Sequence, residues 1–164
     1  MSISKRLGVS TVLIGLALVA TACSGGGTES TTTLDPSQSE FPFGSPADRS
    51  DADRTVEIAA TDSLVFDPAE VTVAPGETIT FRIVNTGSLI HDFTLGDQAA
   101  QDEHEAEMRG MEGMAHDAPN VVTVAVGETS ELTWTFSETG TVLIGCHQLG
   151  HYDAGMKGQV IVGR

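Results

Sequence analysis

The most informative stretch of the sequence is residues 146–156, Cys-His-Gln-Leu-Gly-His-Tyr-Asp-Ala-Gly-Met. It spaces the thiol of Cys146, the imidazole of His151 and the thioether of Met156 evenly, in a segment that follows a predicted strand. Two imidazoles, one thiolate and a weak axial Met form a copper site suited to electron transfer. The second imidazole has a candidate upstream, His91 in Asn-Thr-Gly-Ser-Leu-Ile-His-Asp-Phe at residues 85–93. The sequence therefore predicts one copper ion at these four residues.

His147 competes with His151 for the role of copper ligand, because it directly follows Cys146. Successive side chains of an extended chain point to opposite faces, so neighbouring residues do not easily bind the same ion. We therefore expect His151 to be the ligand and His147 to be a surface imidazole.

The sequence on both sides of this segment alternates between apolar and polar residues with a period of two. The alternating or short apolar segments are residues 55–58, 70–73, 78–84, 91–95, 121–126, 132–136, 142–144 and 158–162. Turn residues separate them, as in Ala-Pro-Gly-Glu at residues 74–77. About eight short strands joined by turns predict an all-β antiparallel sandwich. Trp134 and Phe136 are expected in its core.

Residues 97–119 have no strand period and read as an insertion between two strands. The insertion is acidic, with Arg109 as its one basic residue, and residues 101–111 are predicted to be helical. His104, Met108 and Met111 recur at i, i+4 and i+7, which places them on one helical face. We favour packing of these Met side chains onto the sandwich near the copper end. The alternative is a second, weaker copper site at His104, Met108 and Met111.

The first 22 residues have the pattern of an export signal. Lys5 and Arg6 precede an apolar run, residues 7–20, that is shorter than a typical transmembrane helix. Small residues before Cys23 resemble the bacterial lipobox, in which the signal is cut before the Cys and that Cys is lipid-modified. The alternative is ordinary cleavage that leaves a free thiol. Lipidation of Cys23 would leave Cys146 as the one thiol of the folded domain, so no disulfide is expected.

Residues 23–53 are poor in large apolar residues and rich in Gly, Ser, Thr, Pro and Asp. Such a composition cannot bury a core, so the segment is predicted to be a flexible tether to a domain at residues 54–164. Phe41 and Phe43 are exceptions that either pack onto the domain or stay exposed.

The formal net charge of the chain is −15. Binding to nucleic acid is not expected, because phosphate contacts need a basic face. The acidic surface would suit a basic electron-transfer partner.

Residues 54–164 resemble the cupredoxins, the small blue-copper proteins of the plastocyanin and azurin type. The resemblance lies in Val-Ala-Pro-Gly-Glu-Thr-Ile-Thr-Phe at residues 73–81, in Asn-Thr-Gly…His-Asp-Phe, and in Gly-Cys…His…Gly-Met-Lys-Gly before the last strand. It implies a Greek-key sandwich with one type 1 copper bound by His91, Cys146, His151 and Met156. Asp92 stands where Asn often follows this His. Its backbone N–H can still hydrogen-bond the Cys sulfur. The structural link that the Asn side chain makes in the family is not expected for Asp92.

These features predict a monomeric carrier of single electrons that docks with redox proteins. It would be lipid-anchored to the cell membrane and face outward, at the cell surface or in the periplasm. An enzyme is not expected, because the sequence has no nucleophile–base pair and no further His-rich copper motif. The main alternative is a copper-binding or copper-resistance protein that sequesters or delivers copper with the Met/His-rich insertion. A copper-carrying module of a larger assembly is a third possibility.

Overall fold

The computed structural model describes residues 41–109 and 118–163. These residues form ten strands, one α-helix and a short 3-10 helix at Arg49–Asp51. The strands are β1 Ser45–Pro46, β2 Arg54–Thr61, β3 Val65–Asp67, β4 Glu70–Val73, β5 Thr78–Asn85, β6 His91–Gly96, β7 Val121–Val124, β8 Thr129–Thr135, β9 Gly140–Gly145 and β10 Lys157–Val162. Helix α1, Gln98–Met108, lies between β6 and β7 in the chain.

Two five-stranded sheets make up the domain. The first has the strand order β1-β8-β5-β2-β3, and the second has the order β4-β10-β9-β6-β7. Alternate apolar side chains of the strands enter one shared core, in which Phe81, Phe93, Trp134 and Phe136 are fully buried. The prediction of a β-sandwich with Trp134 and Phe136 in its core is confirmed.

The sheets are mixed and not purely antiparallel. Strand β2 pairs with β5 in parallel, and β10 pairs with β4 in parallel. After β3 the chain crosses to the second sheet to form β4 and then returns to form β5 beside β2. A chain that leaves a sheet and comes back can run in the same direction as its neighbour. The alternating pattern within a strand does not show whether that strand pairs with its neighbour in parallel or antiparallel.

The chain packs on the sandwich from Phe41 onward. The sequence predicted a flexible tether up to residue 53, so the folded domain begins earlier than predicted. Phe43 is buried, and its ring stacks on Trp134 with centroids 5.3 Å apart. Strand β1 then pairs with β8. Gly44 allows this approach, because its φ is +135° and a Cβ there would lie 1.9 Å from the carbonyl oxygen of Thr135. Residues 1–40, with the signal segment and Cys23, lie outside the described residues.

The insertion is partly helical, as predicted, with α1 beginning three residues earlier than expected. Asp97 caps the helix, since its carboxylate accepts a hydrogen bond of 2.9 Å from the N–H of Ala100. The buried face of α1 carries Gln101, His104 and Met108. Met111 lies outside the described residues. In the part of the chain that the structure describes, no helix is long and apolar enough to cross a membrane.

The second sheet brings the predicted copper ligands to one end of the sandwich. His91 begins β6, Cys146 directly follows β9, and Lys157 begins β10. Gly145 at the end of β9 pairs with Thr94 of β6 and with Lys157 of β10. The segment between β9 and β10 therefore turns beside the beginning of β6.

Candidate metal centre

Three predicted ligands meet at this end of the second sheet. The Sγ atom of Cys146 lies 3.3 Å from Nδ1 of His151 and 3.9 Å from Nδ1 of His91. One donor atom from each residue falls within 4.8 Å of the others. His91 and Cys146 are fully buried, whereas His151 is half-buried. Met156, the fourth predicted ligand, is fully buried in the same segment.

Backbone hydrogen bonds close the ligand segment on itself. The N–H of Cys146 donates to the carbonyl of Met156 at 3.1 Å, and the N–H of Met156 donates to the carbonyl of His151 at 3.0 Å. Gly155 has a φ of +101°, a conformation that L side chains rarely adopt, and so permits the turn before Met156. The three ligand-bearing positions of the segment are therefore fixed relative to one another.

The loop before His91 is held by Asp62, which the sequence did not mark as part of the site. Its carboxylate accepts hydrogen bonds from the Oγ–H and N–H of Ser88 and from the N–H of Leu89. These bonds, the Ser88 hydroxyl foremost, hold the pKa of Asp62 below its usual value. The short polar side chains of this loop could have indicated that it is held by hydrogen bonds. Their partner could not be identified from the sequence, because it lies 26 residues away in the chain.

Asp92 connects both halves of the site. Its backbone N–H donates to Cys146 Sγ at 3.3 Å, as the resemblance implied. Its buried carboxylate accepts hydrogen bonds from Thr123 Oγ1 at 3.0 Å and from Gln148 Nε2 at 2.9 Å. The Asp side chain thus provides an interlock of its own between β7 and the ligand segment, which sequence reasoning did not carry over.

Burial sets the protonation states of the donor atoms. Burial raises the pKa of the Cys146 thiol to about 12. Burial also lowers the pKa of His91 and of His151, so both imidazoles are neutral at neutral pH. A neutral imidazole has an unprotonated nitrogen that can coordinate a metal directly, whereas the thiol must release its proton when a metal binds. Two such nitrogens converging on one buried sulfur fit the donor preference of copper.

His147 does not lie at the surface as expected, because α1 covers it. Its side chain is 1% exposed. Nδ1 lies 2.7 Å from Glu105 Oε2, and Nε2 lies 2.7 Å from Gln101 Oε1. Both nitrogens are thus engaged by the helix, and His147 is not in the group that converges on Cys146. The local sequence could not show this, since both partners come from the insertion.

The structure describes two of the three residues of the second copper site suggested by the insertion, and that site stays a prediction. His104 and Met108 are buried on the inner face of α1, as packing requires, and Met111 lies outside the described part. Within residues 41–109 and 118–163, one group of three or more His, Cys, Asp or Glu side chains could hold a metal ion, and it is His91, Cys146 and His151.

The raised pKa of Cys146 predicts that the metal-free domain loses stability in alkali. In the unfolded chain the thiol has a pKa of roughly 8.5. Above that pH the unfolded chain gives up the proton while the folded domain keeps it up to about pH 12. The free energy of unfolding should therefore fall by up to about 1.4 kcal/mol per pH unit relative to Cys146→Ser. Urea unfolding of both proteins between about pH 7 and 10 measures this, and a constant difference would contradict it.

Comparisons with known proteins agree with this geometry. The model of the plastocyanin/azurin family of copper-binding proteins matches residues 52–163. The copper-resistant cuproprotein CopI of Rubrivivax gelatinosus is 42% identical over 123 residues, which cover 75% of this chain and 74% of that protein. Auracyanin-A of Chloroflexus aurantiacus is 30% identical over 174 residues, which cover 99% of each chain.

A solved structure of an auracyanin has a similar fold. The dithionite-reduced auracyanin of Roseiflexus castenholzii superposes with a TM-score of 0.59 at 26% identity, covering 69% of this chain and 99% of that chain. The chain therefore belongs to the plastocyanin/azurin family of copper-binding proteins, the cupredoxins.

Proposed function

We propose that this domain holds one type 1 copper ion at His91, Cys146, His151 and Met156 and carries single electrons outside the cytoplasmic membrane. The observation that carries the proposal is the convergence of two imidazole nitrogens on the buried Cys146 sulfur, at 3.3 and 3.9 Å. When bound, copper supplies one-electron chemistry by cycling between Cu(II) and Cu(I).

The rigidity of the ligands supports electron transfer. His91 belongs to a strand that is buried along its whole length. The other three ligands share a segment closed by its own backbone hydrogen bonds. Ligands held in this way have little freedom to rearrange when the charge of the metal changes. A small rearrangement keeps the barrier to electron transfer low.

The surface beside His151 supports docking of a partner. His151 is the partly exposed member of the donor group, and the loops that lead to the ligands carry exposed apolar side chains. Leu89 and Ile90 directly precede His91 and are 43% and 44% exposed, while Leu149 is 65% exposed. Such apolar surface excludes water when a partner docks. The net charge of −15 favours a basic redox protein as that partner.

Copper loading of residues 23–164, produced without the signal segment and so not lipidated, tests the assignment of the ligands. Cu(II) should give an intense thiolate-to-copper charge-transfer band with one copper per chain. Cys146→Ser should abolish the band, because a hydroxyl is a poor soft donor. Cys23→Ser is the matched control and should keep it. A band that survives Cys146→Ser would remove Cys146 from the site.

Replacement of Met156 tests the axial ligand. Met156→Gln should keep the bound copper and lower its reduction potential, because a harder oxygen donor favours Cu(II). Met156→Leu, which removes the donor and keeps the apolar volume, should raise the potential. Voltammetry of the three copper-loaded proteins decides. Equal potentials would show that Met156 only fills the core.

We further propose that the chain is an exported lipoprotein that faces outward, acts as a carrier and not as an enzyme, and works as a monomer. Cys23→Ala should move it from the membrane fraction to the soluble exported fraction, because the lipidated residue is lost. Fractionation with an antibody against the domain reports this. A processed Cys23→Ala protein that stays with the membrane would exclude the lipid anchor.

A role in copper handling is the second candidate, and the similarity to copper-resistant cuproproteins favours it. In this role the insertion would take up additional Cu(I) through its thioethers. Titration with Cu(I) of the wild type and of the triple variant Met108→Leu, Met111→Leu, Met114→Leu separates the candidates, since Leu preserves the packing volume. We expect one copper equivalent in both proteins. A second equivalent taken up by the wild type alone would put copper handling first.

A further inference from the structure

Helix α1 of the insertion contacts His147, the buried residue that directly follows Cys146. Because His147 directly follows Cys146, their side chains point apart, Cys146 into the donor group and His147 toward α1. The ring of Tyr152 stacks on His147 with centroids 4.5 Å apart. The ring of His104 meets it edge-on at 4.9 Å. His147 is therefore enclosed on both sides, with hydrogen bonds to α1 at both nitrogens.

Gln101 anchors His147 to the two strands that carry the site. Its side chain is fully buried. The amide nitrogen donates to the carbonyl of Thr94 on β6 at 3.1 Å and to that of Leu143 on β9 at 3.2 Å. With the nitrogen fixed by two acceptors, the amide oxygen must face Nε2–H of His147, which donates to it at 2.7 Å. One amide thus links β6, β9 and the residue after Cys146.

The close fit at Gly145 supports this link. A Cβ at Gly145 would lie 2.3 Å from Oε1 of Gln101 and 2.8 Å from Nε2 of His147. The absence of a side chain at the residue before Cys146 therefore lets the amide and the imidazole close directly over the backbone. The hydrogen bond between them covers the peptide that leads into the metal ligand.

Glu105 holds the other nitrogen of His147 and is itself held by the helix. Its carboxyl group lies 2.7 Å from Nδ1, where a proton on either of the two atoms makes the hydrogen bond, and 3.4 Å from Nε of Arg109, one helical turn later. Arg109 also reaches Asp153 of the ligand segment at 3.5 Å. That exposed pair adds little stability. The buried contact of Glu105 with His147 is the main tie between this turn of α1 and the site.

We propose that Gln101 and Glu105 are positioning residues of the copper centre, acting through His147 to fix Cys146 against His91 and His151. The inference rests on the proposed copper site. Groups that orient ligands from outside the metal's own contacts commonly change metal affinity on the order of tenfold or more when removed. In a cupredoxin the surroundings of the Cys sulfur also tune the reduction potential. The insertion then sets the properties of the centre and does more than cover it.

The test compares Gln101→Met, Glu105→Leu and Glu105→Gln with Glu103→Leu, an exposed position of the same helix. Gln101→Met and Glu105→Leu keep volume but remove the hydrogen bonds to His147. They should weaken copper binding by on the order of tenfold and shift the charge-transfer band and the potential. Glu105→Gln, whose side-chain amide can still hydrogen-bond Nδ1 of His147, should recover most of the wild-type values. Glu103→Leu should change none of them.

A second readout uses the metal-free protein. If His147 positions the Cys146 segment, loss of the Glu105 contact should speed modification of the buried thiol by a small alkylating agent several-fold, while Glu103→Leu should not. Because Glu105 lies at the edge of the buried cluster, its variants should fold even if Gln101→Met does not. Wild-type affinity, spectrum, potential and thiol reactivity in Glu105→Leu would overturn the proposal. A wild type without a charge-transfer band would instead overturn the copper site itself.

Discussion

The sulfur of Cys146 is the point on which the rest of the site depends. It is fully buried, and its pKa of about 12 shows how strongly the interior disfavours the thiolate there. A metal-binding thiolate can exist in this place only if a cation or hydrogen-bond donors compensate its charge. The N–H of Asp92 supplies one donor at 3.3 Å, and the two imidazoles converge where a cation would lie. The interior therefore keeps this thiol protonated at neutral pH until a bound cation compensates the charge of the thiolate.

Three polar features near this sulfur are secured by partners from other elements. Asp92 of β6 is held from β7 and from the ligand segment, and the loop before His91 is held by Asp62, which follows β2. His147 is held by α1. Buried polar groups without partners would cost several kcal/mol each. These partners avoid that cost, and because they come from distant parts of the chain they also fix how its segments meet.

The sequence allowed prediction of the sandwich and of the group at its end, because both depend on local signals. Alternation marks single strands, and the spacing of Cys146, His151 and Met156 lies within one segment. Features that depend on contacts between distant residues could not be predicted from the sequence. The parallel pairing of β2 with β5 and the packing of Phe43 on Trp134 depend on contacts between distant residues. Phe41 and Phe43 stood out from the polar composition around them, but the sequence left open whether they pack on the domain, because their partner Trp134 is distant in the chain.

His147 shows why a site cannot be read from its ligand segment alone. In isolation it is an imidazole beside a Cys, with no signal that separates a surface residue from a buried one. Its environment is made by the insertion, whose helix presents Gln101 and Glu105 one turn apart on the same face. That i, i+4 pair is visible in the sequence, but it acquires meaning only when the fold lays α1 across β6 and β9. The sandwich therefore supplies the residues that converge on the metal centre, while the insertion supplies the surroundings of His147, and the two meet at the residue next to the sulfur.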